Sequence, residues 1–451
     1  MTASRARLAV SIVALAASAQ TLVAQDTVTT RHPEAGPITL PEAIRIALAQ
    51  NSSVRLARNA TTLDSLNVRQ LRNAFLPNLS ASSQTSQGYG SGSTSPNSFS
   101  GSGGVSSGVT LYNGRQNVNS LHESELILSA GTQDLGRTRQ TVVFTVASDF
   151  LNLITQQEQV RVQQENLVAQ EQELTQLVAF TTAGTRAIGD LYQQQAAVAA
   201  TRLAVANARH ATELANVDLI QDLLLDPRSI YTFVPPTPRD TTKPTPDFCL
   251  DSLITVALAQ RADVQAQRFR VEAAKREILV AEGGRFPVIS ATAGYGSGVN
   301  STADATFASQ LNQRRGGSFG IGVSVPIFDR GTVSIAHQRA QVLLENETLA
   351  LRDIDQTVAL EVRRAFLDYQ VAQEQLVETN AQRRAAALAL EAAQARYRDG
   401  VSTFVEVALA RATLIQAQSS AVNARSSLAF QQALMSYYTG VLGPGNARLE
   451  R

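Results

Sequence analysis

Two segments of the 451-residue chain match the Gly-x-Ser-x-Gly pattern of a hydrolase nucleophile elbow: Gly104-Val105-Ser106-Ser107-Gly108 and Gly316-Gly317-Ser318-Phe319-Gly320. An elbow exposes its serine on a sharp strand-to-helix turn and takes a histidine and an acid from later in the chain. Both serines fall instead at or within expected strands, in stretches so rich in Gly and Ser that composition alone produces the match. The four histidines, His32, His122, His210 and His337, are widely separated with no i, i+4 pair, so no zinc pattern is present. No P-loop and no G-x-G-x-x-G occur. The residues therefore assign no catalytic group, no metal ligand and no cofactor. Cys249 is the single cysteine, so no intrachain disulfide can form.

The composition narrows the class further. Lys and Arg number 39 against 38 Asp and Glu, which removes the single-sign field that a nucleic-acid surface needs. Aromatics are 5% of the chain with no Trp, too few for thick packed cores. Charged residues are 17%, below the roughly 25% of an ordinary soluble domain, and Gln, Asn, Ser and Thr take their place. At the N-terminus, Arg5 and Arg7 precede an apolar run from Leu8 to Ala17, with small-residue cleavage sites after Ala19 or Ala24. Residues 1–24 are accordingly expected to be a secretory signal peptide. Elsewhere no run of 18 apolar residues offers a membrane-spanning helix.

The elements emerge from an internal duplication. Leu40-Pro41-Glu42-Ala43-Ile44-Arg45-Ile46-Ala47-Leu48 superposes on Leu250-Asp251-Ser252-Leu253-Ile254-Thr255-Val256-Ala257-Leu258 at an offset of 210, which also carries Pro77 onto Pro287. Beyond the next segment the offset becomes 216, placing Leu111 on Ile327, Gly184 on Gly400 and Asn207-Ala208-Arg209 on Asn423-Ala424-Arg425. Repeat 1 is expected over 38–225, with a helix at 41–76, strands at 78–90 and 103–113, and helices at 115–181 and 187–225. Repeat 2 is expected over 248–443, with a helix at 250–285, strands at 287–297 and 317–328, and helices at 331–397 and 403–440. Between them, Pro227, Pro235, Pro236, Pro238, Pro244 and Pro246 mark 226–247 as an extended linker, and 444–451 is a C-terminal tail.

Proline is absent from 97 to 226 and from 327 to 443, which permits very long helices. Seven-residue spacings such as Val146, Leu153, Val160, Leu167, Leu174 and Val407, Leu414, Ala421, Leu428, Met435 predict coiled-coil seams. The apolar stripe is narrow, so most of each helix must face water, as in a hollow helical cylinder rather than a solid bundle. Gly184 and Gly400 lie where each long helix must reverse. In the segments between helices, Phe319, Ile321, Val323, Val325 and Ile327 alternate with small or polar residues, enough to cross a bilayer as a tilted strand. Phe286, Tyr295 and Phe328 are expected near strand ends, as an aromatic girdle. Four strands per chain cannot close a barrel, for which about eight are the minimum, so a dimer or a trimer is required.

These features together resemble the TolC-like outer membrane efflux protein family. The resemblance rests on the repeated Leu-x-x-x-Ile-x-x-Ala-Leu openings, on Pro77 and Pro287 leading into the strands, and on Ala395-Arg396-Tyr397-Arg398-Asp399-Gly400-Val401-Ser402-Thr403-Phe404-Val405-Glu406-Val407. It implies a mixed fold, a long coiled-coil α-helical barrel joined to a transmembrane β-barrel, in a homotrimer standing in outer membrane lipid with a long periplasmic portion. It further implies a passive exit duct that docks by its helical tip to a periplasmic adaptor protein and an inner membrane transporter. By position, Asp190, Glu406, Arg186 and Tyr397 are the tip residues that would close such a duct, although Ser402 and Leu409 depart from the charged residues of some relatives. The competing reading is a soluble periplasmic coiled-coil scaffold or adaptor whose hairpins pack in water.

Overall fold

The structure, a computed structural model, describes residues 37–89, 97–234, 249–301, 303 and 305–442. The expected signal peptide, most of the linker and the tail lie outside the described residues. The first half contains α1 (Leu40–Gln50), α2 (Ser52–Asn73), β1 (Asn78–Tyr89), β2 (Asn97–Asn113), α3 (Gln116–Thr182) and α4 (Ile188–Asp222). The second half contains α5 (Leu250–Gln260), α6 (Ala262–Gly283), β3 (Val288–Asn300), α7 (Phe307–Gln313), β4 (Gly316–Ser324), α8 (Thr332–Arg398) and α9 (Phe404–Tyr438). The helices α3 and α8 have 67 residues each, a length of about 100 Å.

Several expected boundaries are corrected. The helix expected at 41–76 breaks at Asn51, whose backbone is extended (φ −56°, ψ 129°) and whose side-chain oxygen accepts a hydrogen bond from the Ser53 N–H. Asn51 thereby caps α2 while its own N–H still closes α1 on Ala47. The helix expected at 250–285 breaks in the same way at Arg261 (φ −64°, ψ 128°), held there by its side chain rather than by a cap. The strand expected at 317–328 stops at Ser324, two residues before Pro326, which has no N–H to give the ladder. Conversely, β2 begins at Asn97 rather than 103, and β3 runs to Asn300 rather than 297. Tyr295 sits within β3 rather than at its end, and α7 was not anticipated.

The four strands form one antiparallel sheet in the order β1-β2-β3-β4. The central β2–β3 pairing joins the two halves of the chain, with Val105 opposite Tyr295 and Gly101 opposite Val299. Because side chains alternate, Leu79, Ala81, Val105, Tyr295, Phe319, Ile321 and Val323 share one face. The other face carries Ser80, Ser82, Ser102, Ser106, Ser290, Thr292, Ser318 and a series of glycines. Leu79, Phe319, Ile321 and Val323 are all strongly exposed in the single chain, and β1 and β4 each leave one edge unpaired.

The solid core is confined to the level where the short helices meet the long ones. There Val142, Val146, Phe150 and Leu153 of α3 pack against Ile44 and Ala47 of α1 and Leu219 of α4. Phe233 after α4 meets Phe150 edge-on at 6.2 Å, and its strand-like segment bridges in parallel to Ile38. In the second half Val358 and Val362 pack against Ala257 and Val264. Farther along, burial thins to a seam with residues seven apart, Gln170 and Leu177 in α3 and Ala386 and Ala393 in α8.

Candidate functional site

The two long hairpins, α3–α4 and α8–α9, reverse side by side. At each reversal the backbone turns left-handed, at Gly184 (φ 71°) and Gly400 (φ 75°). The next N–H then reaches back across the turn, Thr185 to the Phe180 carbonyl at 3.0 Å and Val401 to the Arg396 carbonyl at 2.9 Å. A Cβ at either glycine would strain this geometry, which fixes where the next helix starts.

Those turns bring three of the four anticipated residues together. The Tyr397 hydroxyl donates to Asp190 Oδ2 at 2.9 Å, joining α8 to the first turn of α4. Arg186 donates to the Tyr397 carbonyl at 2.7 Å and lays its guanidinium 4.2 Å from the centre of the Tyr397 ring. Phe404 also meets that ring, in an edge contact at 5.7 Å. Burial, and then the bond to Asp190, push the Tyr397 phenol up to about 12, so it stays a hydrogen-bond donor throughout the neutral range. Glu406 is not part of this cluster: it pairs with Arg396 of α8 at 3.3 Å in an exposed position. Pro77 and Pro287 stand directly before β1 and β3, at the opposite end of the long helices.

A second contact lies one layer above the turns and has no counterpart in the sequence reading. Arg411 of α9 is nearly buried and forms an ion pair with Glu173 of α3, which is also mostly covered. Beside it the Gln194 amide donates to the Gln170 carbonyl at 2.7 Å, both side chains being buried. Arg411 lies four residues after Val407 and three before Leu414, so its spacing marked it as a seam position. A charge at such a position needs a buried partner, and that was the available signal.

The two Gly-x-Ser-x-Gly matches lie in β2 and β4, with Ser106 and Ser318 on the small-residue face of the sheet and no strand-to-helix elbow at either. His337 contacts Glu282 at 3.2 Å. Among the described residues no cluster of three or more His, Cys, Asp or Glu is arranged to hold a metal ion.

Comparison with known proteins fits this arrangement. The profile of the family described as outer membrane efflux protein matches residues 43–223 and again 253–440. Similar relatives include outer membrane efflux protein BepC of Brucella suis, 22% identical over 86% of this chain and 82% of its own. Another is pyoverdine export outer membrane protein OpmQ of Pseudomonas aeruginosa, 27% identical over 79% of this chain and 73% of its own. Among solved structures, CusC superposes with a TM-score of 0.78 at 18% identity, covering 89% of this chain and 92% of that one. The outer membrane channel OprN superposes at 0.77 with 22% identity, covering 90% of each chain. Twin helical hairpins, a two-faced sheet and a profile that matches once in each half place this chain in the outer membrane efflux protein family.

Proposed function

We propose that the chain is one subunit of a homotrimeric passive exit duct, whose periplasmic helical tip docks to an adaptor protein and an inner membrane transporter that supplies the energy. The observation that carries this reading is the sheet, with one exposed apolar face, one face of Ser, Thr and Gly, and two open edges, joined to helices of about 100 Å. Three copies would close a twelve-stranded barrel with lipid outside and water inside, leaving no strand edge in hydrocarbon. In this reading the chain is two tandem repeats, 38–225 and 248–443, behind a cleaved signal peptide at 1–24, with the linker 226–247 between them and the tail 444–451 after them. It performs no catalysis.

In the same reading Asp190, Arg186 and Tyr397 clasp the two hairpins of one subunit and hold the tip narrow, and Glu406, paired with Arg396, stands outside the clasp at its rim. Opening requires α8–α9 to swing away from α3–α4, which breaks the Tyr397–Asp190 hydrogen bond and the Arg186 contacts together. The experiment is single-channel recording in planar bilayers. Asp190→Ala combined with Arg186→Ala is expected to raise conductance severalfold over the unaltered protein, and unchanged conductance would remove the clasp from the gate. Absence of any channel in the unaltered protein would sink the duct itself.

A further inference from the structure

The membrane part of the chain is almost free of charge. No Asp, Glu, Lys or Arg occurs between Arg72 and Arg115, and between Arg285 and Asp329 there are three: Asp304, Arg314 and Arg315. The two arginines are adjacent, exposed, and without an acidic partner among the described residues. They follow α7 directly and precede β4, at the end of the sheet remote from the long helices.

The side of the sheet on which α7 lies is fixed by its contacts. The Phe307 ring stacks on Phe99 with centroids 6.2 Å apart, and the Ser297 hydroxyl donates to the Leu311 carbonyl at 2.6 Å. Phe99, Ser297 and Val299 belong to the apolar face, the one that carries Val105, Tyr295 and Phe319. Gln310 is buried and anchors the helix, accepting from the Asn300 N–H at 2.7 Å and donating to the Ala305 carbonyl at 2.8 Å. The helix is thus folded onto the outer surface of the sheet and not across the lumen. Phe307, beyond its contact with Phe99, and Leu311 are each still about half exposed, and the alternation of β4 sets residue 315 on the face of Phe319 and Ile321.

Counting from Val288, a crossing of about ten residues ends near Gly298, so α7 and the arginine pair sit at headgroup level of the distal leaflet. An apolar helix face at the acyl boundary, followed by two guanidinium groups with no acidic partner among the described residues, matches an amphiphile with phosphate at its head, since guanidinium engages phosphate in bidentate fashion. We propose that α7 and Arg314-Arg315 form a binding site for a phosphorylated lipid headgroup of the outer leaflet, with Phe307 and Leu311 against the acyl chains and the arginines on the phosphates. This rests on the membrane-spanning reading of the sheet.

The test uses the full mature protein in detergent, titrated with diphosphorylated lipid A, with the same lipid stripped of phosphate, and with inorganic phosphate, bound lipid being counted by native mass spectrometry. The unaltered protein should bind the diphosphorylated lipid, and Arg314→Gln with Arg315→Gln should weaken that binding on the order of tenfold. The lysine pair at the same positions should restore only part of it, since lysine returns the charge without the bidentate fork. Equal binding by the glutamine variant, equal binding of the phosphate-free lipid, or saturation by inorganic phosphate alone would each overturn the site. Requirement for detergent is scored separately: a protein that stays soluble without it refutes the membrane reading, whereas one that needs detergent and ignores lipid A refutes only the headgroup site.

Discussion

Asp149 of α3 faces Asp218 and Asp222 of α4 where the two helices are packed into the main core. Burial first, then a shared hydrogen bond with Asp222 and repulsion from both carboxylates, push Asp149 up to about 7. Its folded value lies above its unfolded value near 4, so its contribution to stability is complete below about pH 4 and is lost as the pH rises through about 7. Asp149→Asn keeps a hydrogen-bonding side chain and removes the charge. The melting temperature of the variant should therefore exceed that of the unaltered protein at about pH 8 and approach it near pH 5, whereas parallel curves would show that the acidic contact has no role. Residue chemistry of this kind was only partly legible. Asp190 and Tyr397 could be located from their distance to Gly184 and Gly400, but the partner of each depends on how two hairpins lie against each other. Glu173 and Arg411, 238 positions apart, became a pair only when the helices were in place.

At the scale of elements, the long helices and their turns were written plainly, because proline is absent and seam residues recur every seven positions. Helix breaks were harder. Asn51-Ser52-Ser53 carries a capping signature, but Arg261 carries none and is extended because its guanidinium is drawn into a buried ion cluster. The strand ends followed from hydrogen bonding that periodicity does not report: β2 begins in residues with little apolar alternation because β1 pairs with it from Asn97 and β3 joins on the other side from Ser100. One turn also departs from its counterpart. Leu224 after α4 is left-handed (φ 52°) with its neighbour Leu225 bonded back to the Ile220 carbonyl at 3.0 Å, the same pattern that Gly440 makes after α9. The side chain of Leu224 is half exposed and holds the strain with little packing in return. Leu224→Gly should accordingly stabilise the protein by about 0.5–1 kcal/mol, read as a higher guanidinium midpoint; a lower midpoint would mean that the side chain matters more than the backbone.

Across the whole molecule, the halves are joined by a charged knot as well as by the β2–β3 ladder. Arg261, 3% exposed, bonds to Asp263 of α6 and to Glu361 of α8, each at 2.6 Å. Arg137 of α3 reaches the same Asp263 at 3.5 Å, and its guanidinium lies 4.0 Å from the centre of the Tyr437 ring of α9. Four helices from both halves thus converge on one set of ions. Arg261→Ala would leave two covered carboxylates without their main cation and should destabilise by about 3–5 kcal/mol. Arg261→Met combined with Glu361→Gln should recover most of that loss in thermal melts; if it does not, the arginine acts through packing and not through charge.

The open edges of the sheet belong to different halves, β1 to the first and β4 to the second. Within one chain, the β2–β3 ladder already joins two hairpins edge to edge. In the proposed trimer, β4 meeting the neighbour's β1 repeats that join between copies, so the ring is pseudo-sixfold: six hairpins, three of whose junctions are covalently tethered and three of which form on assembly. The fusion halves the number of bodies that must find one another before the ring can close. It also frees the two hairpins from identity, and among the described residues it is the second that carries an outward helix. In the proposed trimer, α7 would therefore lay a threefold decoration over a sixfold wall.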